Sequence, residues 1–215
     1  MERCITRFDI TTYRPAYFQF VQFTLVIAIT ISSLFLSTVL ARASGDEEAR
    51  HRDTSTVFIT EFMASYNEIR DSATLLDEDG EAHDWVELHN AGTSAVDLSG
   101  WRLTDRLSDR NRWVFPEGMM IDGGEYLVVF ASGKDRRDST GVLHTNFSLK
   151  REGESLALID AAGTIVSDHG LPYPTQYTGV SYAYAEDENS ATGYSELAHY
   201  AVRPTPGYPN GSALG

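Results

Sequence analysis

Apolar and polar positions follow two different patterns along this chain. Residues 21–40 (VQFTLVIAITISSLFLSTVL) are nearly continuously apolar, interrupted by small polar residues such as Gln22, Thr24, Thr30, Ser32, Ser33 and Ser37. Beyond residue 55 the apolar positions fall into short runs, many with period two, separated by Gly, Pro, Asn and Asp. That is the signature of strands and turns rather than helices. Residues 57–62 (VFITEF) are rich in β-branched and aromatic side chains, which favour a pleated, half-buried surface. Residues 84–90 (DWVELHN) alternate, placing Val86 and Leu88 on one face, Glu87 toward solvent and Trp85 off-phase at an edge or rim.

Further strands are predicted over residues 96–104, with Gly100 as a bend or bulge, over 112–115 before Pro116, and over 125–131 after the turn Asp122-Gly123-Gly124. Residues 146–149 and 180–184 read the same way. Ala161-Ala162-Gly163 joins 155–160 to 164–168 as a hairpin. Pro204, Pro206 and Pro209 force an extended, non-helical C-terminal segment. Roughly eight or nine short strands over about 150 residues predict an all-β sandwich or barrel.

The apolar run has its own flanks. Arg3, Arg7 and Arg14 precede it, and the small-x-small triplet Ala41-Arg42-Ala43 follows. A positive start, an apolar middle and a small-residue exit describe a secretory signal. The run is also near spanning length, so an uncleaved signal-anchor helix over residues 21–40 is the competing reading. The expected organisation is a signal peptide or anchor (1–43), a flexible acidic linker (44–55), a β-sandwich (56–211) and a short tail (212–215). The expected location is exported (periplasmic, cell-surface or secreted), with the membrane touched only through the N-terminal segment.

Composition narrows the chemistry. Acidic residues number 31 against 17 basic ones, a formal net charge of −14, which argues against binding nucleic-acid phosphates. Loss of residues 1–43 would leave the remainder still more acidic. The single cysteine, Cys4, excludes an internal disulfide framework and a cysteine-based zinc site.

The order of motifs resembles the lamin-tail domain, in the branch found in exported bacterial proteins. ITEFMA (59–64), DEDG (77–80), DWVELHN (84–90), VDLSGWRLTD (96–105), GEYLVVFA (124–131), NFSL (146–149) and PTPGYPN (204–210) match its motifs in sequence. The resemblance implies an immunoglobulin-like sandwich and an exported compartment, and it implies no reaction. Coiled-coil heptads and a basic patch are missing, so a filament or DNA role does not carry over.

The richest acidic cluster, residues 77–84 (DEDGEAHD), offers Asp77, Asp79, Glu81 and Asp84 as oxygen ligands around a Gly-relieved turn, and Ca²⁺ is the cofactor such a loop suits. A full twelve-residue calcium loop is not formed, because its last position is Leu88. A solvated acidic turn is the plainer alternative. Glu61, Asp84 and Glu87 are the carboxylates a glycosidase would need. No pair of the six histidines has His-x-x-x-His spacing, and no Gly-x-Ser-x-Gly elbow occurs. Ser132-Gly133-Lys134-Asp135 lacks the upstream glycine and following hydroxyl of a phosphate loop.

Seven tyrosines between 173 and 208 crowd the last third, as sandwich-edge caps or as a binding patch. Trp85, Trp101 and Trp113 are expected in packing. The functional expectation is a non-enzymatic adhesion or interaction module binding a protein or cell-surface ligand through its loops, among them 66–84 and 171–179. The alternatives are a small hydrolase or substrate-recognition domain of the cell envelope, and a structural protein that associates by edge-strand pairing.

Overall fold

The structure, a computed structural model, describes residues 55–66, 75–170, 172–187, 189–190 and 192–211. The signal segment, nearly all of the linker and the tail lie outside them. Among the described residues there is no helix, and therefore none long and apolar enough to cross a membrane. Twelve strands form in chain order: β1 (Val57–Met63), β2 (Asp84–Asn90), β3 (Val96–Asp97), β4 (Arg102–Thr104), β5 (Trp113–Val114), β6 (Met120–Ile121), β7 (Tyr126–Ala131), β8 (Leu143–His144), β9 (Ala157–Ile159), β10 (Ile165–Asp168), β11 (Ser181–Glu186) and β12 (Tyr194–Ala201).

Six of them make one sheet in the order β12-β11-β1-β2-β7-β8; a second sheet runs β10-β9-β4-β5, and β3 pairs with β6. The expected all-β class holds. The two larger sheets pack face to face: Ile59, Phe62, Val86, Leu88 and Val129 from the first meet Leu103, Trp113, Leu158 and Val166 from the second in one buried cluster. Each large side chain sealed there contributes about 1.5–3 kcal/mol. Glycine supplies left-handed turns where the chain reverses: at Gly100 (φ 73°) the predicted strand over 96–104 breaks into β3 and β4.

Two expectations about β2 are corrected. Trp85 is not a rim residue; it is 2% exposed and packs with Met63 and Phe130. Glu87 does not face solvent; it is 0% exposed. The reason is that β2 is central, flanked by β1 and β7, and its second face is covered as well. Period-two reading presumes one wet face, and here neither face is wet. The NFSL segment is not a strand; Thr145 Oγ1 accepts from the Phe147 N–H and donates to the Phe147 carbonyl, curling the chain after β8.

The second face of the six-stranded sheet is covered in part by the proline-rich segment. Thr60 is the extra residue in the β1–β2 ladder, which shifts register between Ile59 and Glu61 and sets Glu61 directly opposite Glu87. Residues 205–210 lie over that pair.

Candidate functional site

The acidic loop closes on itself. Asp77 Oδ1 accepts the N–H groups of Asp79 (3.0 Å) and Glu81 (2.8 Å), and Gly80, at φ 72°, turns the chain. This aims three carboxylates at one point. Lys134 Nζ stands there, 2.5 Å from Asp77, 2.7 Å from Asp79 and 2.8 Å from Glu81. Arg136 bridges Asp79 (2.7 Å) and Glu78. Buried His144 joins from β8, its Nε2 2.9 Å from Glu78 and its Nδ1 2.8 Å from Ser132 Oγ. The segment that superficially imitates a phosphate loop therefore supplies cations to the acidic turn.

The electrostatics follow from the contacts. Lys134 and Arg136 pull the Asp79 carboxyl down to about 2. Burial works upward on Asp77, but the Lys134 ammonium and two backbone N–H groups outweigh it and hold the carboxyl below its ordinary value. The Lys134 ammonium is pushed up by the same three acids, against its own desolvation.

Of the four expected metal ligands, Asp77, Asp79 and Glu81 are brought together. Asp84 is engaged elsewhere: its Oδ1 accepts from the Tyr66 N–H at 3.2 Å, and burial raises its pKa to about 7. The same neighbourhood also gathers two carboxylate–imidazole sets, Asp77–Glu78–His144 and Asp77–Glu81–His83, each with its donor atoms within 4.8 Å. A divalent cation held by Asp77, Asp79 and Glu81 would have to take the place of Lys134 Nζ.

The second cluster was not foreseen. Glu61 and Glu87 are both 0% exposed, and among the described residues neither forms a salt bridge. Among those residues their hydrogen-bond partners are neutral hydroxyl and backbone N–H groups. Glu61 accepts from the Thr205 N–H (3.3 and 3.1 Å), lies 3.1 Å from the Thr205 hydroxyl oxygen and bonds the Ser181 hydroxyl. Glu87 accepts from the Thr60 hydroxyl (2.6 Å) and the Gly207 N–H (2.7 Å). Asn210 completes the latch, its amide donating to the carbonyls of Thr60 and Tyr184 (both 3.0 Å) while its Oδ1 accepts from Thr205 Oγ1 (2.8 Å).

Burial raises the Glu61 pKa despite these donors, and raises Glu87 to about 8, with the neighbouring Glu61 adding to the effect. Hydroxyl partners suit protonated acids, because Thr60 and Ser181 can accept as well as donate, and Ser181 also reaches the Ala201 carbonyl at 3.3 Å. The sequence signal for this latch is a glutamate on each of two adjacent strands together with the closing PTPGYPN. Of the candidate glycosidase carboxylates, Glu61 and Glu87 sit side by side but sealed under the latch, and Asp84 binds the turn at Tyr66.

The tyrosines divide. Tyr173 is buried and donates to the Lys150 carbonyl at 2.8 Å; Tyr194 bonds His89 Nδ1. Tyr177 and Tyr200 stay in solvent with ring centroids 5.2 Å apart, and Tyr208 is exposed. His169 sits sealed against Phe62 and Tyr184, and burial holds its imidazole down to about 3. Of the tryptophans, Trp85 and Trp113 are buried and Trp101 packs half-buried against the main core.

A two-sheet β-sandwich of this kind has the architecture of an immunoglobulin-like domain. The family model of the Lamin Tail Domain matches residues 50–172, and the chain belongs to that family. No curated protein matches the chain. The matched span ends before β11 and β12, yet these strands complete the same six-stranded sheet, and the latch at 205–210 lies farther on still.

Proposed function

We propose that this protein is an exported, non-enzymatic interaction module of the cell envelope that binds a protein or cell-surface ligand. One observation carries the reading: among the described residues, most of the exposed large apolar side chains lie between 177 and 208, where Tyr177, Leu197, Tyr200, Val202 and Tyr208 all face solvent. Carboxylates suited to acid–base work are instead buried and hydrogen-bonded to backbone. Tyrosine pairs such as Tyr177–Tyr200 provide wide, rigid contact area with few rotamers to freeze. Binding through Ca²⁺ at Asp77, Asp79 and Glu81 would be an exchange with Lys134.

The test is site-specific photocrosslinking of the full chain in its own cells. Probes at Tyr177, Leu197 or Val202 should give discrete adducts, and a probe at Glu117 should give none. A uniform absence of adducts, or hydrolysis of envelope polymers by the purified chain, would overturn the proposal.

A further inference from the structure

The longest strand of the sandwich is also an edge. β12 pairs with β11 on one side, and among the described residues no strand lies along its other side. The opposite edge of the same sheet is a two-residue buried strand, β8. Proteins usually blunt a long edge with Pro, Lys or a covering loop. β12 (YSELAHYA) has neither residue, Leu197 is 82% exposed, and Val202 just past its end is 78% exposed.

At the Tyr194 end this edge runs into a cleft of ≈ 970 Å³. Its walls include the aromatic rings of Phe58, Tyr184 and Tyr194 and the carboxylates of Asp187 and Glu196, with Asp168 contributed by β10. No Lys, Arg or His is among the residues that line it. Asp187 Oδ1 accepts from the Asn189 N–H (3.0 Å) and amide (3.3 Å), which fixes the carboxylate on the β11–β12 turn. Aromatic faces beside carboxylates are the surroundings a guanidinium or ammonium group seeks, by cation–π attraction and charge.

We propose that β12 is a β-augmentation site: an extended, basic segment of a partner protein pairs with its free edge and lays a Lys or Arg side chain in the acidic aromatic cleft. Main-chain pairing supplies affinity and the cleft supplies selectivity. A second copy of this chain is the poorer occupant. Its own β12 has no basic residue other than His199, and two copies each carrying −14 repel. The inference rests on the interaction-module reading and adds to it the class of partner and the mode of contact.

The test uses the purified full chain and three fluorescein-labelled ten-residue peptides, read by anisotropy. One alternates Val with Arg and Thr, one replaces each Arg by Glu, and one is the basic peptide N-methylated at alternate residues. Saturable binding of the basic peptide is expected, at least tenfold weaker for the acidic and N-methylated forms. A similar loss is expected for the double variant Asp187→Asn, Glu196→Gln, which keeps both side-chain shapes and the oxygen that accepts from Asn189 and should leave the thermal midpoint unchanged. Equal binding of the acidic peptide, an unaffected double variant, or equal competition by free arginine would overturn the proposal. So would sedimentation showing that the chain dimerises and that the peptide merely dissociates the dimer. In any of those cases, persistent crosslinks at Tyr177 and Leu197 would keep the interaction module standing, and their absence as well would remove both.

Discussion

Replacing Glu87 by Gln tests the buried latch directly. The side chain keeps its shape but can no longer ionise, so it imitates the protonated acid at every pH. Burial raises the folded-state pKa from 4.5 to about 8, so the folded chain holds this proton more tightly than the unfolded chain does. The stability associated with it is complete below pH 4.5 and is lost as pH rises through 8. A displacement of that size corresponds to about 5 kcal/mol over the full window, taken as an upper bound. By pH 7 roughly 3 kcal/mol of it has gone.

The assay is urea unfolding of wild type and Glu87→Gln at intervals between pH 4.5 and 9. Asp84 also titrates in this range, so the quantity to read is the difference between the two proteins at each pH. Near pH 4.5 they should be about equal, with Gln slightly weaker for want of an acid hydroxyl. By pH 8.5 the variant should be the more stable by several kcal/mol, with Thr60 Oγ1 accepting from its amide. A difference that stays flat across the window would refute the reasoning, because it would mean that Glu87 carries its charge inside the fold.

Further outcomes follow from other contacts. Asn210→Ala leaves two buried carbonyls, those of Thr60 and Tyr184, without their donor; a loss of about 2–3 kcal/mol in chemical denaturation is expected. Gly153→Ala would bring a Cβ within 2.3 Å of the Tyr173 carbonyl oxygen at φ +103°, so the thermal midpoint should fall sharply or expression should fail. Lys134→Met strips the shared cation from Asp77, Asp79 and Glu81; the midpoint should drop, and millimolar Ca²⁺ should restore part of the loss in the variant while shifting wild type less. His169 runs opposite to Glu87, since its folded pKa is depressed to about 3. Its contribution is complete above pH 6.5 and is lost as pH falls toward 3, so His169→Phe should gain on wild type in acid and not at pH 8.

Much of the sheet structure was legible because β-branched and aromatic runs bounded by Gly and Pro mark β1, β7 and the β9–β10 hairpin directly. β12 was not legible: Ala198, Ala201, Glu196 and His199 have little strand preference, and only pairing with β11 makes the segment extended. Nor were β6 and β8, two-residue strands too short to show a period, which only pairing with β3 and β7 makes extended. At the acidic loop, the convergence of Asp77, Asp79 and Glu81 could be read from the Asp-x-Asp-Gly turn. Their counter-ions could not, since Lys134 and Arg136 lie more than fifty residues away and arrive only when β7 pairs with β2. Glu87 was misplaced because alternation shows which residues share a face and says nothing about what lies over it.

The latch also orders events in time. Glu61 meets Ser181 and Thr205, and Glu87 meets Gly207, across sequence separations of 120 to 144 residues, and residues 205–210 supply much of the cover over the two acids. A chain emerging N-terminus first from a ribosome therefore cannot cover these two acids until residues 205–210 are free. Contacts of such long range fold slowly. This face of the sheet stays open to water until those residues arrive, and burial of the two acids is a late step.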